Sequence, residues 1–249
     1  MLRAYGDGNL FGEPYGVGPV QVVWLHGWAR TGRDFADAAD ELARDGVASV
    51  ALDLPGFGSS PLPTVAGGAR LYAQLLAPAL ATMSERPLVV VGHSFGGTVA
   101  TVLAADNPEL VRALILVGAP LLRRTGVVSP PWRFRLTRWL HAKGVVGEGT
   151  MEATRQRYGS RDYKNASGRL REVLVASVNE SYEEELQRVR VPVVMVWGEL
   201  DDDVPVDVAR RAAALLPTPP TLHVLSGVGH LVPTLDPRAL VASTREALA

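Results

Sequence analysis

Cysteine is absent from the 249-residue chain. Its absence removes disulfide staples, thiolate catalysis and cysteine-ligated zinc, and fits a reducing, cytoplasmic setting. No apolar run approaches the ~18–20 residues that cross a bilayer, so no membrane span is expected. The opening residues Met1-Leu2-Arg3-Ala4-Tyr5-Gly6-Asp7-Gly8 lack the apolar core of a secretory signal. An excess of either charge is missing too. Lys and Arg number 25 against 26 Asp and Glu, and a net charge of −1 gives no pull toward nucleic acid. There is no internal repeat, no low-complexity linker, no Walker A run and no Gly-x-Gly-x-x-Gly after a strand, so nucleotide chemistry has no support. The acidic run Asp201-Asp202-Asp203 is the one feature that invites Ca²⁺, but no EF-hand spacing follows it. Neither a metal nor a cofactor is therefore expected. A hydrophobic content of 47% with 20% charged residues is enough for a sizeable core, and α/β chains of this length are commonly single domains.

The order of apolar patterns sets the architecture. Residues 2–5 and 10–13 read as short antiparallel edge strands around the Gly6-Asp7-Gly8-Asn9 turn. Continuous β-branched runs follow at 20–25, 47–52, 88–92 and 111–117. Between them lie helical patterns at 31–45, at 66–83 with Pro78 as an expected kink, and at 95–106. Strands that are apolar throughout, alternating with helices, predict a mostly parallel sheet of about eight strands covered on both faces. The alternation stops over 121–189, which reads as helices. It resumes with strands at 191–197 and 221–225 and helices at 206–215 and 237–248. The expected organisation is a core of residues 1–120 and 190–249 with a helical insertion at 121–189. Charge breaks at the same place. Residues 121–190 carry 14 Lys and Arg against 8 Asp and Glu, a net of +6; the rest carries 11 against 18, a net of −7.

The most distinctive stretch is Val89-Val90-Val91-Gly92-His93-Ser94-Phe95-Gly96-Gly97-Thr98-Val99-Ala100: buried strand, tight turn, immediate helix. Gly92 and Gly96 flank Ser94 in a Gly-x-Ser-x-Gly pattern. A nucleophilic hydroxyl has to stand clear of the backbone, which demands a strained residue with no side chains crowding it. The helix that follows turns its free N–H groups and positive dipole end toward the place where an oxyanion would form. At the glycine and serine frequencies of this chain, chance alone supplies roughly 0.1 such matches. Context must carry the rest. In an open parallel sheet, functional groups gather at the carboxyl ends of strands. Those ends carry His26-Gly27-Trp28, Asp53, His93-Ser94, Gly198 to Asp203 and Gly227 to His230. A serine, a carboxylate and a histidine thus occur in the order Ser, Asp, His.

Four segments together resemble the α/β-hydrolase fold superfamily, nearly end to end. They are Leu25-His26-Gly27-Trp28, Asp53-Leu54-Pro55-Gly56-Phe57-Gly58-Ser59, Gly92-His93-Ser94-Phe95-Gly96-Gly97, and Trp197-Gly198-Glu199-Leu200-Asp201 through Pro205 with Gly229-His230. The first two are similar to small carboxylesterases of the pimeloyl-ester hydrolase kind. The central region does not follow them, so no substrate is carried over. The resemblance implies Ser94 as nucleophile and His230 as general base. It implies Asp201 as the acid, from its place after Gly198 and before Pro205, with Asp202 and Asp203 as neighbouring alternatives. It also implies the backbone N–H groups of Trp28 and Phe95 as the oxyanion hole. His26 is expected to hold the oxyanion loop and Asp53 to cap the following turn. His93, adjacent to the serine, is expected to point elsewhere, while His141 and His223 read as structural.

Residues 121–189 resemble the helical cap that covers such sites. The five arginines from Arg123 to Arg138, with no acid between them, point to an anionic substrate or acyl carrier, although solvated helix faces produce such runs routinely. Trp132, Phe134, Trp139 and Tyr158, with Trp28 from the core, either line an apolar channel or pack the cap down. The expected activity is cofactor-free cleavage of a small ester through an acyl-enzyme. The same scaffold serves C–C bond hydrolases, lactonases, thioesterases and perhydrolases, as well as slow-turnover ligand receptors. A dehalogenase relative would carry Asp where Ser94 stands. Oligomeric state is not legible.

Overall fold

A computed structural model describes residues 1–123, 132–158 and 161–249; the side chains of 132–134, 155, 156, 158 and 161 fall outside that description. Eight strands form one sheet: β1 (Arg3–Tyr5), β2 (Leu10–Tyr15), β3 (Val20–Leu25), β4 (Ala48–Asp53), β5 (Leu88–His93), β6 (Val111–Val117), β7 (Val193–Gly198) and β8 (Thr221–Leu225). Their spatial order is β1-β2-β4-β3-β5-β6-β7-β8. Only β1 with β2 and β2 with β4 pair antiparallel; the remaining pairs are parallel. Of the two expected edge strands β1 alone is an edge, because β2 is inserted between it and β4.

Strands β4 and β5 are buried along their whole length, as a sheet covered on both faces requires. Alternate residues of β5 feed two separate cores. Leu88 and Val90 join the layer formed by α2 (Ala69–Met83), α3 (Phe95–Asp106) and α9 (Val206–Ala213). Val89 and Val91 join the layer of α1 (Ala36–Arg44) and α11 (Pro237–Leu248), where Trp24 stacks on Phe35 at 5.2 Å. His93 continues the second series.

Two helices begin later than periodicity predicts, each for a local reason. Residues 32–35 form a 3₁₀ turn before α1, because the Gly32 N–H is taken by the Asp53 carboxylate at 2.9 Å. Helix α2 starts at Ala69, after Gly67 and Gly68, and its first N–H donates to Glu180 Oε2 at 2.8 Å. Helix α2 runs on through Pro78. Pro78 lies on the exposed side with Gln74 and Leu75, so the carbonyl it cannot serve faces water.

Between β6 and β7 lie α4 (Trp132–Ala142), α5 (Glu148–Tyr158), α6 (Arg161–Asn165), α7 (Gly168–Asn179) and α8 (Glu183–Arg188). The end of this insertion is tied firmly to the core. Tyr182, Leu186 and Val189 are buried with α3 and Leu121. Arg70 Nε donates to Glu185 Oε1 at 2.7 Å, and Tyr182 OH donates to Glu180 Oε2 at 2.9 Å. Between β8 and α11 a single further turn, α10 (Val232–Leu235), follows His230.

Candidate active site

Strand order reverses between β3 and β5: β4 lies on the far side of β3, and β6 on the far side of β5. Such a switch point opens a crevice at the carboxyl ends. Leu25 is in register with Gly92 there, so His26-Gly27-Trp28 and His93-Ser94 leave their strands side by side. Backbone meets backbone across this seam. A Cβ at Gly96 would lie 2.2 Å from the Leu25 carbonyl oxygen, and one at Gly92 would lie 2.5 Å from that of Gly96. Both positions have room for hydrogen alone.

Ser94 adopts φ 51°, ψ −118°. Few non-glycine residues hold such a conformation, which costs on the order of 1–3 kcal/mol and is kept only where the surroundings enforce it. Here its N–H donates to Val117 O at 2.8 Å, and its carbonyl accepts from Gly97 N and Thr98 N. The side chain is partly exposed at the head of α3 and makes no hydrogen bond among the described residues. Neither the Phe95 nor the Trp28 backbone N–H is spent on another group among the described residues. Ala29, after Trp28, also lies at positive φ (54°), marking a second constrained turn beside the first.

His230 and Asp201 are brought together from the ends of β8 and β7. His230 Nδ1 lies 2.8 Å from Asp201 Oδ2, and Asp201 Oδ1 accepts from Val204 N at 2.7 Å. The Asp201 side chain is fully buried, whereas Asp202 and Asp203 are exposed. The carboxylate fixes the tautomer, since Nδ1 must carry the proton it donates, leaving Nε2 with a lone pair. Gly118, at the end of β6 beside Ser94, sits under the pair; a Cβ there would lie 3.1 Å from Asp201 Oδ2 and 3.3 Å from His230 Nδ1.

Two buried histidines flank the crevice. His26 donates from Nδ1 to Gly27 O (2.7 Å) and accepts at Nε2 from Leu54 N (2.9 Å), which pins the β3 loop to the β4 loop. Burial lowers its pKa, so it is neutral and fully paired. Asp53 accepts from Gly32 N and from Ser59 N (2.9 and 2.8 Å) and holds the same two loops. His93 does not point away from the site, as its place beside the serine led us to expect. Its Nε2 donates to His230 O at 2.9 Å, and the two rings lie 4.9 Å apart. Periodicity carried the signal that was missed: counting by twos from Val89 and Val91 places His93 on the face from which α10 and His230 descend. Burial and the neighbouring His230 charge push its pKa down to about 3.

Trp28 is half-buried, edge-on to Phe57 (5.0 Å) and Phe95 (5.8 Å). Trp139 is 57% exposed; with Arg135, Leu136, Arg138 and Ala142 it lines an open cleft of about 720 Å³ that Ser94, Asp201 and His230 do not border. The side chains of Trp132, Phe134 and Tyr158 lie outside the described residues. Arg123 donates to Asn179 O, away from the crevice. Helix α6 of the insertion carries Asp162. Burial and Asp203 raise its pKa, while the charge of His230 lowers it. His141 bonds Val146 O and Glu148, and His223 faces Glu246. Among the described residues, no helix is long and apolar enough to cross a membrane.

The chain is 27% identical over 254 residues to an uncharacterised hydrolase, YugF, of Bacillus subtilis, covering 93% of this chain and 91% of that one. It is 36% identical over 159 residues to the pimeloyl-[acyl-carrier protein] methyl ester esterase of Chromobacterium violaceum, covering 60% and 56%. Among solved structures, an esterase from Exiguobacterium antarcticum superposes with a TM-score of 0.73 at 20% identity, covering 100% and 98%; at that identity the likeness speaks for the fold alone. The profile of the alpha/beta hydrolase family matches residues 22–244. The chain belongs to the alpha/beta hydrolase family.

Proposed function

We propose that the protein is a serine hydrolase that cleaves carboxylic esters through an acyl-enzyme on Ser94. The observation that carries this reading is the strained Ser94 backbone at the switch point, beside a histidine whose Nδ1 is committed to a buried carboxylate. With Nδ1 occupied by Asp201, the Nε2 lone pair of His230 takes the Ser94 proton as Oγ attacks the ester carbonyl. The carbonyl oxygen gains the negative charge, and the unspent N–H groups of Trp28 and Phe95 are the donors on hand to receive it. Asp201 stabilises the imidazolium. As the tetrahedral species collapses, His230 returns the proton to the departing alcohol. Water, deprotonated by the same nitrogen, then attacks the acyl-enzyme and releases the acid and free Ser94.

The ester is preferred over a thioester, lactone or C–C bond because the 36% identical stretch is shared with a methyl ester esterase. We read residues 121–189 as a cap over the crevice, a reading supported by their place between β6 and β7, whose carboxyl ends lead to Gly118 and Asp201. Arg135 and Arg138 lie exposed on α4, and the substrate is proposed to be a small ester, with Trp28 beside its acyl group. The lack of cysteine accords with a cytoplasmic setting.

Hydrolysis of p-nitrophenyl esters and labelling by a fluorophosphonate probe test the reading. Wild type is expected to turn over and to label at Ser94, and Ser94→Ala to do neither. Wild-type protein that neither labels nor turns over would reject it. A panel of esters, thioesters and lactones with varied acyl length then fixes the bond and the chain.

A further inference from the structure

His93 is almost fully buried, belongs to none of the roles above, and lies against both Gly27 and His230. It directly precedes the serine. Its Nε2 donates to the carbonyl of His230, an acceptor without a proton, so Nε2 must be the protonated nitrogen. Nδ1 therefore carries a bare lone pair, and it is buried without a hydrogen-bond partner among the described residues. That nitrogen faces Gly27 of the oxyanion loop, where a Cβ would lie 2.9 Å from Nδ1 and 3.2 Å from Ser94 Cβ. The His93 ring is thus wedged between the loop that carries Trp28 and the loop that carries His230.

The base loop needs such a wedge. His230 ends the run Gly227-Val228-Gly229, and Gly227 is at φ 74°. Two glycines in four residues leave the segment soft. Leu200 N holds it through Val228 O, at 2.8 Å. Among the described residues the His230 carbonyl otherwise accepts only from Val232 N, two residues on, at 3.0 Å, a short-range contact that does not tie it to the sheet. The bond from His93 spans 137 residues of sequence and does so.

Resting on the hydrolase reading, we propose that His93 is a positioning residue: as a neutral imidazole it clamps the His230 carbonyl to the nucleophile strand and spaces the base loop from the oxyanion loop. It exchanges no proton in the reaction. A donor at the Nε2 position is what the role requires, so the side-chain amide of glutamine can replace it, whereas leucine fills the space without donating.

The test is steady-state ester hydrolysis and fluorophosphonate labelling of His93→Leu, His93→Gln and Ser94→Ala, alongside thermal unfolding. His93→Leu is expected to lose on the order of 10–100-fold in kcat and in labelling rate, with KM within about twofold of wild type. His93→Gln should recover to within about threefold. Wild-type rates in His93→Leu overturn the proposal, as does equal impairment of Leu and Gln, which would mark simple packing. If His93→Leu does not fold, His93→Asn replaces it, because its shorter amide stops at the Nδ1 position. Asn as active as Gln then overturns the clamp. Full activity in Ser94→Ala overturns the hydrolase reading and this proposal together. An inactive Ser94→Ala beside a fully active His93→Leu removes only the clamp.

Discussion

His230 Nδ1 and Asp201 Oδ2 lie 2.8 Å apart, and the second oxygen of the same carboxylate is bonded to Val204 N. Asp201 thus holds its own turn and the imidazole at once. Asp201→Asn can keep one of these bonds but presents an amide N–H or a neutral oxygen to the other. We expect kcat to fall by roughly 10³–10⁴, with unfolding midpoints close to wild type. Asp202→Asn and Asp203→Asn, both exposed, should hydrolyse at wild-type rates; parity of Asp201→Asn with these two would remove Asp201 from the mechanism.

Two buried neutral histidines give stability a pH dependence. His26 and His93 both have folded pKa values below the unfolded value, that of His93 near 3. Between about pH 3 and the unfolded value of ~6.5, the unfolded chain binds protons that the folded chain refuses. Stability is therefore fully present above pH 6.5 and declines as the pH falls. Each group contributes up to about 1.4 kcal/mol per pH unit within its window. Urea midpoints measured from pH 7 to pH 4 should fall for wild type, and His93→Gln should show a shallower fall by close to one proton. Equal slopes would mean that His93 is not buried in its neutral form.

Gly96 and Gly149 both occupy the first turn of a helix and should respond oppositely to alanine. At Gly96 the new Cβ would meet backbone carbonyls of Leu25 and His26. Neither can retreat without moving β3, so we expect a loss of more than about 3 kcal/mol or a failure to fold. At Gly149 nothing lies within 4 Å, and Gly149→Ala should be neutral or stabilising by up to about 1 kcal/mol. Chemical denaturation of the two variants decides the matter.

Among the described residues, Arg70 is the sole side-chain partner of a buried carboxylate. Glu185 is 3% exposed, with Oε1 bonded to Arg70 and Oε2 unpaired among the described residues. Arg70→Ala strands that charge between α2 and α8. Because Arg70 itself is 42% exposed, water can enter, and we expect a cost of about 2 kcal/mol rather than the full penalty of a dry site. Glu185→Gln removes the charge and should cost less. The reverse order in thermal unfolding would argue that the α2–α8 contact is held by packing alone.

Much of the crevice could be read from strand ends. The ends of β5 and β7 were legible because both strands are continuous apolar runs; β8 is broken by His223, and His230 was reached through the family resemblance rather than through its strand. Asp201 was preferred over Asp202 and Asp203 from its place between Gly198 and Pro205; its burial beside His230, with the other two exposed, depends on a turn that three identical residues do not reveal. His93 was misread through attention to its neighbour rather than to the two-residue period of its own strand. The insertion stayed largely opaque: helical periodicity indicates that Trp139 sits on a helix, but not which neighbour, if any, its face meets. The late start of α2 was hidden for a similar reason, because the carboxylate that caps Ala69 comes from residue 180.

The seam between Leu25, His26 and Gly96 is backbone against backbone: the atoms nearest a Cβ at Gly96 are all main-chain. Its width is a property of the peptide unit, the same whatever residues evolve around it. Point substitutions in residues 121–189, which on our proposal cover the crevice, leave that seam untouched. A lineage built on this chain is free to exchange one half of its design while inheriting the other unchanged.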